Sequence, residues 1–221
     1  LPQFICALPE HVAGIPAAHV GHPGCFATSM LAGLVPLLKL SLIDGPVYAS
    51  GVTGSTGAGR SPIATTHHPE RHSNLFAYNP LMHRHTPEVV QICQQLTGVT
   101  PDLNFVPHSG PFARGIHMTL QGRLTLPQTA DQLREAFARF YAGQEFVRVV
   151  DGTPRVKDVA GSNYCHIGVA VSGHTTRQSV AVLVAIDNLV KGAAGGAVQW
   201  MNRLLGMKES AGLTTPALGW I

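Results

Sequence analysis

Charge is scarce in this chain. Only 12% of its 221 residues are Asp, Glu, Lys or Arg, where about 25% is usual for a globular domain. The formal balance of +3 is too small to argue for nucleic acid, and no stripe of Lys and Arg with interleaved aromatics is present. No uninterrupted apolar run reaches the roughly 18 residues of a membrane span, so no membrane partner is expected. The opening residues, LPQFICALPEHV, lack a basic n-region and a long apolar core, which excludes a signal peptide. They also lack an initiator Met, and the expectation is a sequence that starts inside a longer protein. Cysteines are few and far apart: Cys6, Cys25, Cys93 and Cys165 form no C-x-x-C. That pattern fits a reducing cytoplasm better than a disulfide framework. Against these absences stands a 45% hydrophobic content, which calls for a large core or a large subunit interface in one domain.

Residues 26–40 place apolar groups at 30, 31, 34, 35, 37 and 38, the spacing of a helix that Pro36 should bend. A short buried strand is expected at 46–52, then a Gly/Ser/Thr loop at 53–60 and a long polar loop at 61–85. Residues 87–97 read as a helix, with Thr86 as cap and Pro87 in the first turn. Strands are expected at 103–107 and 115–124, the second with Ile116, Met118 and Leu120 on one face. An amphipathic helix at 130–142 carries Leu133, Phe137, Phe140 and Tyr141 on one side. Strands follow at 145–150, 166–172 and 178–186, the last nearly all apolar and therefore central. A helix over 188–205, thin in side chains through KGAAGGA, and a loop-like tail close the chain. Strands and helices without strict alternation predict an α+β layer: one mixed sheet with helices on one face.

Four stretches carry residues suited to chemistry. In VGHPGCFAT, a Pro-Gly turn puts Cys25 at the start of a helix, where free N–H groups and the dipole favour a thiolate and offer an oxyanion site. The same residue could equally be a small core hydrophobe. MHRHTPE supplies His83, Arg84 and His85 before a helix, and a cysteine nucleophile needs a histidine acid/base close in space. GSTGAGR, with Ser55, Gly57 and Arg60, follows a strand and offers backbone N–H groups to an anion; Arg114 is a second anion contact. It is not a Walker A loop, and the histidines match no familiar zinc spacing. In AIDNLVKGAAGGAVQ, Asn188 is placed to cap a helix or to bond a planar amide.

Taken together and in order, HPGCFAT, VTGSTGAGR, AYNPLMHRHTPEV, FVPH with ARGI, and AIDNLVKGAAGGAVQ resemble the N-acetyl-γ-glutamyl-phosphate reductase family of arginine biosynthesis and its lysine-pathway relatives, from about residue 8 to residue 205. The family is similar to aspartate-semialdehyde and glyceraldehyde-3-phosphate dehydrogenases. The resemblance implies that residues 1–221 are the catalytic, oligomer-forming α+β domain, largely antiparallel in its sheet. The N-terminal Rossmann domain for NADP would lie outside these residues, since no G-x-G-x-x-G opens a βαβ unit here. The helix at 188–205 would pack on that domain. Further implications are Cys25 as the nucleophile toward a small-molecule acyl phosphate, His83 as the acid/base, and substrate contacts from Ser55, Gly57, Arg60, Arg84, His85 and Arg114. Asn188 and Gly192 would face the nicotinamide of NADP(H). A cytoplasmic homodimer or homotetramer is implied. The chain departs from the family at His22, where Asn is usual, at Phe26-Ala27 for Tyr-Pro, and at Thr53 and Thr56 for serines.

Three other readings remain at this point. HHPERHSN is similar to the lysine branch, whose aminoadipyl phosphate rides on a small acidic carrier protein. A non-catalytic assembly domain would suit the low charge, and a papain-like Cys/His hydrolase would need a third residue orienting its histidine.

Overall fold

The computed structural model describes residues 4–15, 17–173 and 177–219. Its centre is a helix, α1 (Cys25–Lys39), in which every residue from Phe26 to Leu38 is buried. A helix apolar all round has no solvent face to offer and belongs in the middle of a core. Burying each of its Leu, Met, Val and Phe side chains is worth roughly 1.5–3 kcal/mol. Pro36 cannot donate to the Ala32 carbonyl one turn back. The Tyr141 hydroxyl supplies that bond instead, at 2.7 Å. The helix continues through Pro36 to Lys39.

A seven-stranded mixed sheet lies under this helix. Its strands are β3 (Ile43–Thr53), β4 (Phe76–Ala77), β5 (Leu103–Ser109), β6 (Ile116–Leu124), β7 (Val147–Val149), β8 (Cys165–Val171) and β9 (Ser179–Ile186). The spatial order is β4-β5-β3-β6-β9-β8-β7. Pairs β3/β5 and β7/β8 are parallel and the others antiparallel. Helices α3 (His85–Thr97) and α4 (Ala130–Phe140) flank α1 on the same face. On that face Ile116, Met118, Leu120, Val180, Val182 and Val184 are buried, as a period of two requires. The opposite face carries exposed Tyr48, Ser50 and Gln121 beside half-buried Thr119 and Leu183. The α+β layer is therefore as expected, and β9 is an interior strand, between β6 and β8.

Several boundaries differ from the pattern, each for a local reason. Helix α3 begins at His85, two residues earlier than expected, because the His83 ring accepts the His85 N–H through Nδ1 at 3.2 Å. Thr86 therefore does not cap; its hydroxyl is buried without a partner. The long polar loop folds locally into α2 (His68–Arg71) and the short strand β4. The expected helix at 188–205 is two pieces: a π-helical turn, Val190–Ala194, then α5 (Gly195–Leu204). Asp187, not Asn188, caps it, its Oδ1 accepting the N–H groups of Leu189 and Val190. The capping box of α4 is complete, with Thr129 and Gln132 exchanging bonds.

A second, parallel pair of strands, β1 (Phe4–Cys6) and β2 (His19–Gly21), stands apart from the main sheet. A buried polar knot ties the segment after β1 to α5. Lys191 Nζ donates to Glu10 at 2.5 Å and to Gln199 at 2.8 Å, and both charged side chains are 1% exposed. Burial works against the Glu10 carboxylate, but the Lys191 charge and the bonds from Lys191 and Gln199 outweigh it and bring its pKa down to about 2. Trp200 Nε1 adds a bond to the Ala7 carbonyl.

Candidate active site

Cys25 is the first residue of α1, directly after Gly24. Burial raises its thiol pKa above the usual value, whereas the N–H groups of Phe26 and Cys25 and the charge of Arg84 pull it down. Burial wins, so the thiol holds its proton at neutral pH and needs a base. The helix terminus alone does not make a thiolate here, contrary to the sequence expectation, because the terminus is set into the core rather than into water.

Two histidines adjoin it. The His85 ring turns its Nε2 edge toward Gly24, the residue before Cys25. A Cβ on Gly24 would stand 2.3 Å from His85 Nε2, so only glycine fits. Glu88, one turn along α3, accepts the Gly24 N–H at 2.9 Å and stands 4.0 Å from His85 Nε2. The ring of His83 is 4.8 Å from that of His85, and Phe26 and Tyr78 pack edge-on against it. Burial first, then the neighbouring histidine and Arg84, lowers the pKa of His83 to about 4; burial and Arg84 lower that of His85 to about 4. Both are neutral at pH 7 and able to accept a proton.

Cys25, His83 and His85 line one cavity of about 470 Å³. Thr53, Gly54, Ser55, Gly57 and Ala58 form one wall; Arg71, Tyr78, Arg84 and Ser109 stand around it. Two arginines and two histidines face this space, and among the described residues no carboxylate lines it. The glycine loop is not the N–H cradle that its sequence suggests. The N–H groups of Gly54, Ser55 and Thr56 donate to the carbonyls of Gly115, Phe112 and Ala113, and that of Gly57 to Gly54. What the loop shows the cavity is side chain: the Ser55 hydroxyl, without a protein partner among the described residues.

The remaining expected residues fall elsewhere. Arg60 is exposed and outside the cavity wall. Arg114 is paired with buried Asp187 at 3.0 Å, so it is committed to the fold. Asn188 is 2% exposed. Its Oδ1 accepts the Gly115 N–H at 2.6 Å and its Nδ2 donates to Thr56 at 3.0 Å, which leaves it bracing the glycine loop from behind. Gly192 presses on Cys25: a Cβ there would lie 2.8 Å from Cys25 Cβ and 3.0 Å from its Cα. Both residues thus pack the glycine loop and the start of α1 from behind. His22 donates through Nε2 to the Lys191 carbonyl at 2.9 Å, pinning the π-helical turn that carries Gly192. Among the described residues no three His, Cys, Asp or Glu side chains are grouped to hold a metal, and no helix is long and apolar enough to cross a membrane. Sequence reading missed Arg71, Tyr78 and Glu88. Glu88 stands in H-x-x-E, one turn beyond His85, and Arg71 stands in HHPERHSN, but the sequence of neither stretch tells which side chain faces the cavity.

Residues 25–188 match the family model described as semialdehyde dehydrogenase, dimerisation domain. Among curated proteins, the N-acetyl-gamma-glutamyl-phosphate reductase of Pelotomaculum thermopropionicum is 43% identical over 202 residues, covering 90% of this chain and 58% of that protein. The protein of the same name from Geobacter sulfurreducens is 42% identical over 224 residues, covering 99% of this chain and 64% of its own length. The chain thus spans less than two thirds of these relatives. Among solved structures, aspartate semialdehyde dehydrogenase II from Vibrio cholerae, complexed with ASA, superposes with a TM-score of 0.70 at 16% identity. That match covers 92% of this chain and 68% of the other, and it speaks to the fold alone.

Proposed function

The chain belongs to the semialdehyde dehydrogenase dimerisation-domain family, and from that premise we propose that the protein containing it is an NADPH-dependent N-acetyl-γ-glutamyl-phosphate reductase of arginine biosynthesis. One observation carries the reading: a helix-terminal cysteine and two neutral histidines share a cavity lined by two arginines and no carboxylate. Such a space favours a polyanionic acyl phosphate over a neutral ester or peptide. The names of the relatives support the same substrate.

The chemistry follows from these side chains. The Cys25 sulfur attacks the acyl carbon, the carbon–oxygen bond to phosphate breaks, and phosphate leaves with the electron pair, giving a thioester. The thiol proton passes to a neutral histidine. We assign that task to His85 instead of His83, the acid/base that the resemblance implies, because His85 Nε2 lies against Gly24 and His83 Nδ1 accepts the His85 N–H. The N–H groups at the start of α1 stabilise charge on the acyl oxygen as it develops. When bound, the nicotinamide supplies the hydride that takes the thioester to the aldehyde. Arg84 and the Ser55 hydroxyl contact the phosphoryl group.

The cofactor is held mainly by a Rossmann domain outside these residues. Two features support this domain organisation. A parallel pair of strands is not a stable sheet by itself, so β1 and β2 are read as the rim of a larger parallel sheet. Helix α5 also leaves Ala197, Met201 and Leu205 exposed in one stripe. The open face of the seven-stranded sheet suits a second copy, in line with the family's description, and the reaction is placed in the cytoplasm.

The test is an assay of the full-length protein with NADPH and purified acyl phosphates. N-acetyl-γ-glutamyl phosphate should be reduced at a kcat/KM at least tenfold above that for aminoadipyl phosphate, free or carrier-bound. Cys25→Ser should abolish turnover while leaving the circular dichroism unchanged. Preference for the aminoadipyl substrate, or near-normal turnover by Cys25→Ser, would refute the proposal.

A further inference from the structure

Arg71 is the most confined charge on the cavity wall. It is 7% exposed and lies at the end of α2. Its Nη1 donates to the Ser109 hydroxyl, and its Nη2 donates to the carbonyls of Gly110 and Phe112. All three acceptors are neutral. Among the described residues no carboxylate lies within ion-pair distance of it, although it is one of the lining residues. Its Nε–H and one Nη1–H have no protein acceptor. Burying a guanidinium without a counter-ion is costly, and the outlay is understandable where the counter-ion arrives with a ligand.

The position within the cavity narrows the ligand. The phosphoryl group sits on the very carbon that Cys25 attacks, so its cation must stand beside the sulfur. Arg84 stands between His83 and His85, whose ring presses on Gly24 next to Cys25, whereas Arg71 is held by Ser109, Gly110 and Phe112 at the end of β5. Tyr78, packed edge-on against His83, lines the same cavity. An acyl phosphate derived from an amino acid carries its carboxylate several bonds from the reacting carbon, at the far end of the molecule.

We propose that Arg71, clamped by Ser109, Gly110 and Phe112, is the specificity residue that receives the α-carboxylate of the substrate at the end of the cavity remote from Cys25. This rests on the acyl-phosphate reading above. Arg suits the task because a fixed planar fork recognises a carboxylate with both charge and direction. The clamp is as important as the charge: three internal bonds leave the guanidinium one orientation, so little entropy is lost when the carboxylate docks.

The experiment compares two acyl phosphates in the full-length protein: N-acetyl-γ-glutamyl phosphate and 4-acetamidobutyryl phosphate, identical except that the second lacks the α-carboxylate. Losing a charge-assisted pair typically weakens binding about 10- to 100-fold. Wild type should favour the first substrate by that factor in kcat/KM. Arg71→Gln should lose it for the first substrate and change little for the second, and Arg71→Lys should fall between. Equal losses on both substrates would make Arg71 a purely structural clamp and overturn the proposal, as would an undiminished preference. A readout independent of turnover is protection of Cys25 from iodoacetamide, followed by mass spectrometry, with N-acetylglutamate or 4-acetamidobutyrate as protector. Wild type should be protected at about tenfold lower concentrations of the first, and Arg71→Gln should show no difference. If neither acyl phosphate is reduced but this difference holds and depends on Arg71, the carboxylate site stands and the reductase reading falls. A difference that survives Arg71→Gln overturns the site itself.

Discussion

At the scale of single residues, the site depends on missing atoms as much as on reactive ones. Gly24 leaves room for the His85 ring and Gly192 leaves room for Cys25 itself. The contact at Gly192 is with Cys25 Cα and Cβ, which cannot swing away as the end of a long side chain can. Gly192→Ala must therefore displace either the π-helical turn or the start of α1. Overpacking of this kind costs about 1–3 kcal/mol, which for a domain of this size lowers Tm by roughly 2–4 °C per kcal/mol. We expect the activity to suffer more than the fold: kcat down at least tenfold, with KM changed less than threefold. Thermal melts and steady-state kinetics on the full-length variant check this, and unchanged kcat would show that Gly192 is mere packing. Cys25 and the His83/His85 pair were legible because a Pro-Gly turn before a helix and a His-Arg-His cluster are local patterns. The thiol's raised pKa was not legible, because the burial responsible comes from segments remote in sequence.

At the scale of elements, the period-two strands and the long apolar helix were readable, and their errors sit at ends and junctions. Ile116, Met118 and Leu120 alternate inward as their spacing predicts. Helix α3 starts early because a histidine ring, not a Thr hydroxyl, takes its first N–H. The 188–205 segment breaks into a π turn and α5 because Asp187 caps it, Gly192 must reach Cys25, and His22 holds the Lys191 carbonyl. None of these partners is near the segment in sequence except Asp187. The glycine loop shows the same limit. Its composition suggests free N–H groups, yet those of Gly54, Ser55 and Thr56 are spent on the 112–115 backbone and those of Gly57 and Gly59 within the loop. Arg114, a candidate anion contact by position, is likewise claimed by Asp187. In the glycine loop and at Arg114, contacts more than fifty residues away in sequence override the local pattern.

At the scale of the whole molecule, burial of titratable groups ties stability to pH. His11, His22, His83 and His85 each sit at about 4 instead of 6.5, burial being the largest cause in every case. A histidine held neutral in the fold gains its proton only on unfolding between those values, so the unfolded state binds more protons there. Stability is full above about pH 6.5 and falls as pH drops toward 4, by at most about 1.4 kcal/mol per pH unit for each histidine. Glu10, lowered to about 2, extends the loss below pH 4.5. Urea midpoints of the full-length protein at pH 7, 6 and 5 should fall progressively; a flat series would contradict the buried, neutral state of these rings.

In the proposed reaction Cys25 is the group that takes the acyl chain from phosphate, and every later step depends on it. That role is tested most directly by mixing the full-length protein with N-acetyl-γ-glutamyl phosphate in the absence of nicotinamide, quenching in acid, and mapping the adduct by mass spectrometry. The expected result is an N-acetylglutamyl group on Cys25, formed with release of about one phosphate per site. Phosphate release with Cys25 unmodified, or an adduct that persists in Cys25→Ser, would contradict it.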